Sequence, residues 1–176
     1  MRIIAGDLRG RIFASPHGHR THPMSDKIRG ALFNTLGDID GLKLLDAFAG
    51  SGAIAFEALS RGAASVVLIE NDINAQKAIA QNIRELGLAG QAKLIRAAAQ
   101  AWARSSEEMF DIVALDPPYD QINADILQTV AGHCLVGGLV VLSLPPDSDI
   151  NLPLGFRQIH RKRYGDAQLV FYRRTS

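Results

Sequence analysis

The chain has 176 residues, enough for one domain with a substantial core, and its 47% hydrophobic and 21% charged residues are ordinary for a globular protein. It shows no apolar run long enough for a membrane span and no charged-then-apolar leader, and its single cysteine, Cys134, excludes an internal disulfide and suits a reducing cytoplasm. The net charge of +1 conceals an asymmetry: residues 1–30 carry six basic groups against two acidic ones, residues 157–176 six against one, and residues 31–156 seven against fifteen. Cationic ends on an anionic body leave a nucleic-acid partner open if the ends converge on one face, and solvated surface charge is the bland alternative.

In chain order, "MRIIAGDLRGRIFAS" places short apolar runs around Gly6 and Gly10 and predicts a small β-hairpin. "SPHGHRTHP" reads as a loop, and residues 1–24 as a basic extension preceding a main domain over 25–176. Ser25 caps a helix through about Leu36 with Ile28, Ala31, Leu32 and Thr35 on its apolar face, ended by Gly37. Strand and helix signals then alternate. The strands are "LKLLDAF" (42–48), "SVVLIE" (65–70), "AKLIRA" (92–97), "FDIVAL" (110–115) and "GGLVVLSLP" (137–145). Between them come a helix closed by Gly62, one from Asp72 to Leu86 closed by Gly87, a short one around Trp102, and one over roughly 122–134. Nearly continuous apolar strands separated by helices predict an α/β fold, a mostly parallel Rossmann-like sheet covered on both faces. The closing "FRQIHRKRYGDAQLVFYRR" predicts an antiparallel hairpin turning at Tyr164-Gly165-Asp166.

Two strand ends carry chemistry. After the first strand, "DAFAGSGAIAFEA" places glycines where backbone must approach a ligand and opens a helix whose first N–H groups are unpaired. Gly50 to Ala55 satisfies the G-x-G-x-x-G/A spacing, and Glu70 ends the second strand, where a carboxylate can accept from both hydroxyls of a ribose. A nucleoside-containing cofactor is expected, with NAD and S-adenosylmethionine both compatible with the loop itself.

The fourth strand separates them. It ends in Asp116-Pro117-Pro118-Tyr119, and prolines terminate a strand because they cannot donate to the ladder. An exocyclic amine attacking a methyl sulfonium needs acceptors for its N–H groups, so that its lone pair faces the methyl carbon, and a surface on which its ring is fixed. Asp116 supplies a carboxylate, Pro117 a carbonyl, the proline pair stiffness, and Tyr119 a ring. A Pro-Pro turn with an incidental acid is the alternative.

These motifs, with "MRIIAGDLRGRIF", "HPMSDKIRGALFNTLG", "LLDAFAGSGAIAFEALSRGAASVVLIE" and the basic closing hairpin, resemble the RsmD family of bacterial 16S rRNA guanine-N2 methyltransferases over nearly the full length. The resemblance implies a class I methyltransferase using S-adenosyl-L-methionine. It implies a cofactor loop of Asp46, Phe48, Ala49, Gly50, Ser51 and Gly52, with Glu70 on the ribose and Asn71 beside the adenine. Ser25 and Asp26 would lie over the methionyl end, and Asp116, Pro117, Pro118 and Tyr119 would form the catalytic clamp. It implies as partner 16S rRNA within an assembling small subunit, with position 966 in the usual rRNA numbering as target, and neither membrane nor metal. Two features depart from the family. "LIRAAAQAW" has only Ala97, Ala98 and Ala99 where an acidic residue usually meets the adenine amine, and His22 stands where arginine is common.

Other candidates have plainer readings. His17, His19 and His22 lack cysteine or carboxylate partners at metal-site spacing, and Trp102 and Cys134 read as packing residues. Arg2, Arg9, Arg11, Arg20, Arg161, Lys162 and Arg163 are expected to meet rRNA phosphates, although charges on an edge strand also block strand pairing. The rival functions are an amino methyltransferase acting on a DNA base or protein glutamine, an NAD-dependent oxidoreductase, and an RNA-binding module without activity.

Overall fold

The computed structural model describes residues 1–16 and 24–176; His17, His19, Arg20 and His22 lie outside the described residues. Five strands run parallel: β1 (Lys43–Asp46), β2 (Ser65–Glu70), β3 (Ala92–Arg96), β4 (Phe110–Leu115) and β5 (Cys134–Leu144). The hairpin of β6 (Phe156–Tyr164) and β7 (Ala167–Arg174) joins antiparallel, with β7 against β5, so the sheet order is β3-β2-β1-β4-β5-β7-β6. The helices are α1 (Asp26–Leu36), α2 (Ala53–Ser60), α3 (Ile73–Glu85), α4 (Ala99–Ser105) and α5 (Ala124–Ala131). The order reverses between β1 and β4, and the carboxyl ends on either side of such a reversal form the crevice where open α/β sheets bind ligands.

Successive strand residues face opposite sides, which divides the interior into two cores. Leu44, Leu68, Ile112 and Val141 pack with Phe33 of α1 and Phe56 of α2. Leu45, Val67, Val113 and Val140 pack with Trp102 of α4 and Leu127 of α5. Side-chain caps stand where expected: the Ile28 amide donates to Ser25 Oγ (3.3 Å) and the Ala75 amide to Asp72 Oδ1 (2.8 Å).

Three details differ from expectation. The buried face of α1 is Ile28, Arg29, Leu32 and Phe33, while Thr35 is exposed and donates its hydroxyl to the Ala31 carbonyl (2.9 Å). A hydrophobic count does not find a buried arginine, and one of its two carboxylate partners, Glu57, is distant in sequence. Cys134 opens β5 instead of ending a helix. α5 stops at Ala131, Cys134 pairs with Phe110, and the register then slips so that Ile112 meets Leu139. Finally, the amino-terminal hairpin has a single β-bridge, Arg2 to Ile12, and no extended ladder.

Side chains, more than a ladder, hold that segment down. Glu57 is fully buried, and its carboxylate accepts from the Ile4 amide (2.8 Å), the Ala5 amide (3.1 Å) and Arg61 Nε (2.8 Å), with Arg29 Nε at 3.6 Å. Asn82 of α3 brackets Ala14, accepting from its amide and donating to its carbonyl, both at 2.9 Å. Ile3 and Phe13 are thereby set into the core, and Ser15 and Pro16 are brought to the rim of a cavity above the sheet.

Candidate active site

Glu70, Asp46, Asp116 and Ser143 stand at the carboxyl ends of four neighbouring strands, β2, β1, β4 and β5. Each lies two residues beyond a side chain of the α1–α2 core, namely Leu68, Leu44, Ala114 and Val141, so alternation turns all four to that face. Asp46 pairs with Leu68 on one side and Ala114 on the other, and Leu115 pairs with Leu142, which sets Asp116 next to Ser143.

The loop after β1 wraps around Glu70. The Gly50 amide donates to Glu70 Oε2 (2.7 Å), and the Asn71 and Asp72 amides donate to Oε1 (2.8 and 2.7 Å). Three bonds leave part of the capacity of a carboxylate, about four lone-pair sites, for a ligand. Gly50 and Gly52 adopt φ of 53° and 81°, and a Cβ on Gly52 would lie 2.6 Å from the Phe56 ring. Gly52 is therefore required both for the turn and for seating α2 on the sheet.

Asp46 is almost wholly buried and neither carboxylate oxygen has a hydrogen-bond partner. Burial, followed by the nearby charge of Asp116, pushes its carboxyl up to about 8; the Ala55 and Phe48 amides face it without closing full hydrogen bonds. Asp116 is pushed up to about 6 by burial, opposed by a hydrogen bond from Ser143. Tyr119 opens a single 3₁₀ turn, Tyr119–Gln121, which the Gln121 amide closes by donating to the Pro118 carbonyl (2.9 Å). Tyr119 is 42% exposed, which leaves its ring available as a stacking surface.

These groups share one cavity of about 880 Å³, near the upper end of the roughly 300–1,000 Å³ usual for small-molecule sites. Phe48, Ala49, Gly50, Ser51, Glu70 and Asn71 line the β1–β2 end, Asp116, Pro117, Pro118 and Tyr119 the β4 end, and Ser25 lines it as well. Asp46 and Gly52 stand behind the wall. Asp26 turns aside, its carboxylate engaged by Arg2 Nε (2.8 Å) and Arg29 Nη2 (3.0 Å), which hold it below its ordinary range, Arg2 foremost. Ala97 and Ala98 do line the cavity where an acidic side chain was missing, and Gln100, one turn on, brings an amide there.

Sequence reasoning missed Ser143, Gln100 and Asp166 as lining residues. Only the lone hydroxyl in "LVVLSLP" offered a signal, and it needed the β4–β5 register to acquire meaning. Among the described residues, Glu70, Asp116, Asp120 and Asp166 line the cavity and no lysine or arginine does. Such a wall suits a cationic ligand and opposes a pyrophosphate. The orphaned oxygens of Asp46 fit the same description, since a buried carboxylate without partners is a ready receiver for an ammonium.

Among the described residues, the basic groups stand in several different settings. Arg2 pairs with Asp26, Arg9 is exposed, and Arg11 donates to the Glu85 carbonyl (3.0 Å) at the end of α3. On β6, Arg161 and Arg163 pair with Val170 and Gln168 on the α5 side, whereas Lys162, opposite Leu169, faces the other way. Arg163 Nη2 bonds Asp147 (3.0 Å), and Lys162 lies over the Tyr164 ring at 5.4 Å.

A family model described as "Conserved hypothetical protein 95" matches residues 1–173. The chain is 32% identical over 184 residues to "Putative rRNA methyltransferase YlbH" of Bacillus subtilis (strain 168), covering 99% of each. It is 38% identical over 120 residues to "Ribosomal RNA small subunit methyltransferase D" of Escherichia coli (strain K12), spanning 68% of this chain and 60% of that protein. Among solved structures, "Putative methyltransferase yhhF from Escherichia coli" matches with a TM-score of 0.89 at 29% identity, covering 99% of this chain and 98% of that one. The Rossmann-like methyltransferase fold expected from the sequence is the fold observed.

Proposed function

The chain belongs to the "Conserved hypothetical protein 95" family of RsmD-like, S-adenosylmethionine-dependent methyltransferases, and from that premise we propose that it methylates the N2 amine of a guanine in small-subunit 16S rRNA. The observation that carries the amine assignment is the meeting of Asp116, Pro117 and Tyr119 in the cavity that also contains the cofactor loop.

When bound, S-adenosylmethionine supplies a methyl group on a cationic sulfonium whose leaving group is a neutral thioether. Asp46 would take its ammonium, Glu70 its ribose hydroxyls, and Asn71 would stand beside its adenine. Ser25 would lie over the methionyl end, with Asp26 fixing the start of α1 through Arg2 and Arg29. Asp116 and the Pro117 carbonyl accept the N–H groups of the base and turn its lone pair to the methyl carbon. Tyr119 fixes the ring plane. Positioning of this kind can supply a large share of the acceleration. An ionised Asp116 also stands ready to receive the proton that the amine sheds.

Support for rRNA as the acceptor comes from the names of the two relatives and from the cationic ends. Arg2, Arg9, Arg11, Arg20, Arg161, Lys162 and Arg163 would contact phosphates around the target, at position 966, of an assembling subunit. The test is incubation with labelled S-adenosylmethionine and, in parallel, under-methylated small subunits, naked rRNA, DNA and protein acceptors, followed by mapping of the label. Label on one guanine N2 of 16S rRNA is expected; label confined to DNA or protein overturns the proposal.

A further inference from the structure

Side chains of the main domain grip the amino-terminal segment at successive places. Glu57 accepts from the Ile4 and Ala5 amides, and Ser60 Oγ accepts from the Leu8 amide (2.9 Å) and donates to the Ala5 carbonyl. Asn82 Oδ1 accepts from the Ala14 amide and Nδ2 donates to the Ala14 carbonyl, both at 2.9 Å. Of these three, Asn82 is the one whose hold lies next to the cavity, because Ser15 and Pro16, the residues after Ala14, line it. We propose that Asn82 is a positioning residue for the cofactor: through Ala14 it fixes Ser15 and Pro16 at the cavity wall, so that seating the amino-terminal segment and holding S-adenosylmethionine are coupled. This rests on the reading of the cavity as the S-adenosylmethionine site and is independent of the methyl acceptor.

One helix carries both sides of the coupling. α3 follows directly on the tip of β2, where Glu70 Oε1 accepts from the Asn71 and Asp72 amides (2.8 and 2.7 Å). Gln76, in the first turns of α3, donates from Nε2 to the Glu70 carbonyl (2.9 Å). Asn82 stands about 9 Å further along the same axis at 1.5 Å per residue, and it is fully buried. Glu70 and the Ser15–Pro16 wall are thus both placed by α3.

The chemistry of an amide is what this position requires. Asn offers an acceptor and a donor side by side, which matches the carbonyl and N–H of a single residue. A carboxylate would keep the first bond and set an oxygen against the Ala14 carbonyl; an apolar side chain would leave both backbone groups unpaired. Asn82 therefore replaces a neighbouring strand in a segment that makes only the Arg2–Ile12 bridge. Pro16 has a fixed φ and restricts Ser15 before it, so the placement of Ala14 passes to the cavity wall with little slack.

The experiment measures the Kd of S-adenosylmethionine by titration calorimetry, the Tm of the free protein, and hydrogen exchange at the Ala14 amide. Asn82→Asp, close in shape to the parent, should speed exchange at Ala14 and raise Kd about tenfold, the scale of one lost hydrogen bond. Pro16→Gly leaves Asn82 in place, restores slack, and should raise Kd as well. Ser60→Ala loosens the same segment away from the cavity; it should lower Tm yet leave Kd within about twofold, as distant sites do. Because coupling is reciprocal, S-adenosylmethionine should slow Ala14 exchange in the parent. An unchanged Kd in Asn82→Asp despite faster exchange at Ala14 overturns the proposal. So does a Kd in Ser60→Ala that rises as far as in Asn82→Asp, since the effect would then be one of stability alone. Should Asn82→Asp not fold, an unchanged Kd in Pro16→Gly overturns it equally. A parent chain that binds no S-adenosylmethionine defeats the cofactor reading itself, and this proposal with it.

Discussion

Asp46 and Asp116 end adjacent parallel strands on the same face of the sheet, and the charge of Asp116 adds to burial in pushing the Asp46 carboxyl up to about 8. One of these acids sits behind the glycine loop after β1 and the other opens the Asp116–Tyr119 turn after β4, so the two ends of the cavity are electrostatically linked.

The first prediction concerns Asp46. Its folded value of about 8 exceeds its ordinary 3.8, so the folded state binds more protons between those values and stability falls as pH rises through that window. Asp46→Asn, which does not titrate, should raise the Tm of the free protein more at pH 9 than at pH 5, measured by calorimetry. At pH 7 the parent should release a fraction of a proton when the cofactor ammonium binds, read by titration calorimetry in two buffers of different ionisation enthalpy. In the Asn variant that release should vanish and cofactor affinity should fall.

Under the proposed function, Asp116 should set the pH dependence of transfer. Its carboxyl accepts N–H groups fully only when ionised, and its value is about 6. The kcat should therefore be flat above pH 7 and fall about tenfold per unit below 6. Asp116→Ala should abolish transfer while cofactor binding, followed by equilibrium dialysis, stays largely intact. Loss of both together would assign Asp116 to the cofactor pocket.

Tyr119 separates stacking from hydrogen bonding. Tyr119→Ala should raise KM by roughly tenfold to a hundredfold, since one base–aromatic stack is worth about 1–3 kcal/mol. Tyr119→Phe should recover most of that KM because the ring remains.

Glu57 tests how the amino-terminal segment is held. Its carboxylate satisfies two backbone amides and an arginine without exposure to solvent, with Arg29 buried beside it. Glu57→Ala leaves the buried Arg29 with Asp26 as its one carboxylate and strips two backbone amides of their acceptor, and should destabilise the fold by about 3–5 kcal/mol in urea unfolding. Hydrogen exchange should rise first at Ile4 and Ala5, whose amides lose their acceptor.

Much of the site was legible because its motifs are local. Asp116-Pro117-Pro118-Tyr119 and the Gly50–Gly52 loop declare themselves within a few residues, since prolines end strands and glycines permit tight turns. Ser143, Arg29 and Glu57 carried no such mark. A serine in an apolar run becomes a neighbour of Asp116 only through strand register. A buried arginine becomes tolerable when Asp26 in its own helix and Glu57, from a helix some thirty residues away, both present carboxylates to it.

By itself, then, the sequence determined the succession of strands and helices, the turns at the strand ends and the kinds of groups those turns present, because periodicity and backbone chemistry act over short spans. The tertiary structure decided which groups meet. Sheet order placed β1 between β2 and β4 and placed β5 beyond β4, lining up Glu70, Asp46, Asp116 and Ser143 across one face. It also parted Lys162 from Arg161 and Arg163, since neighbours on a strand face opposite ways. Burial then raised Asp46 and Asp116 out of their ordinary range, an effect that exists only where the chain has excluded water.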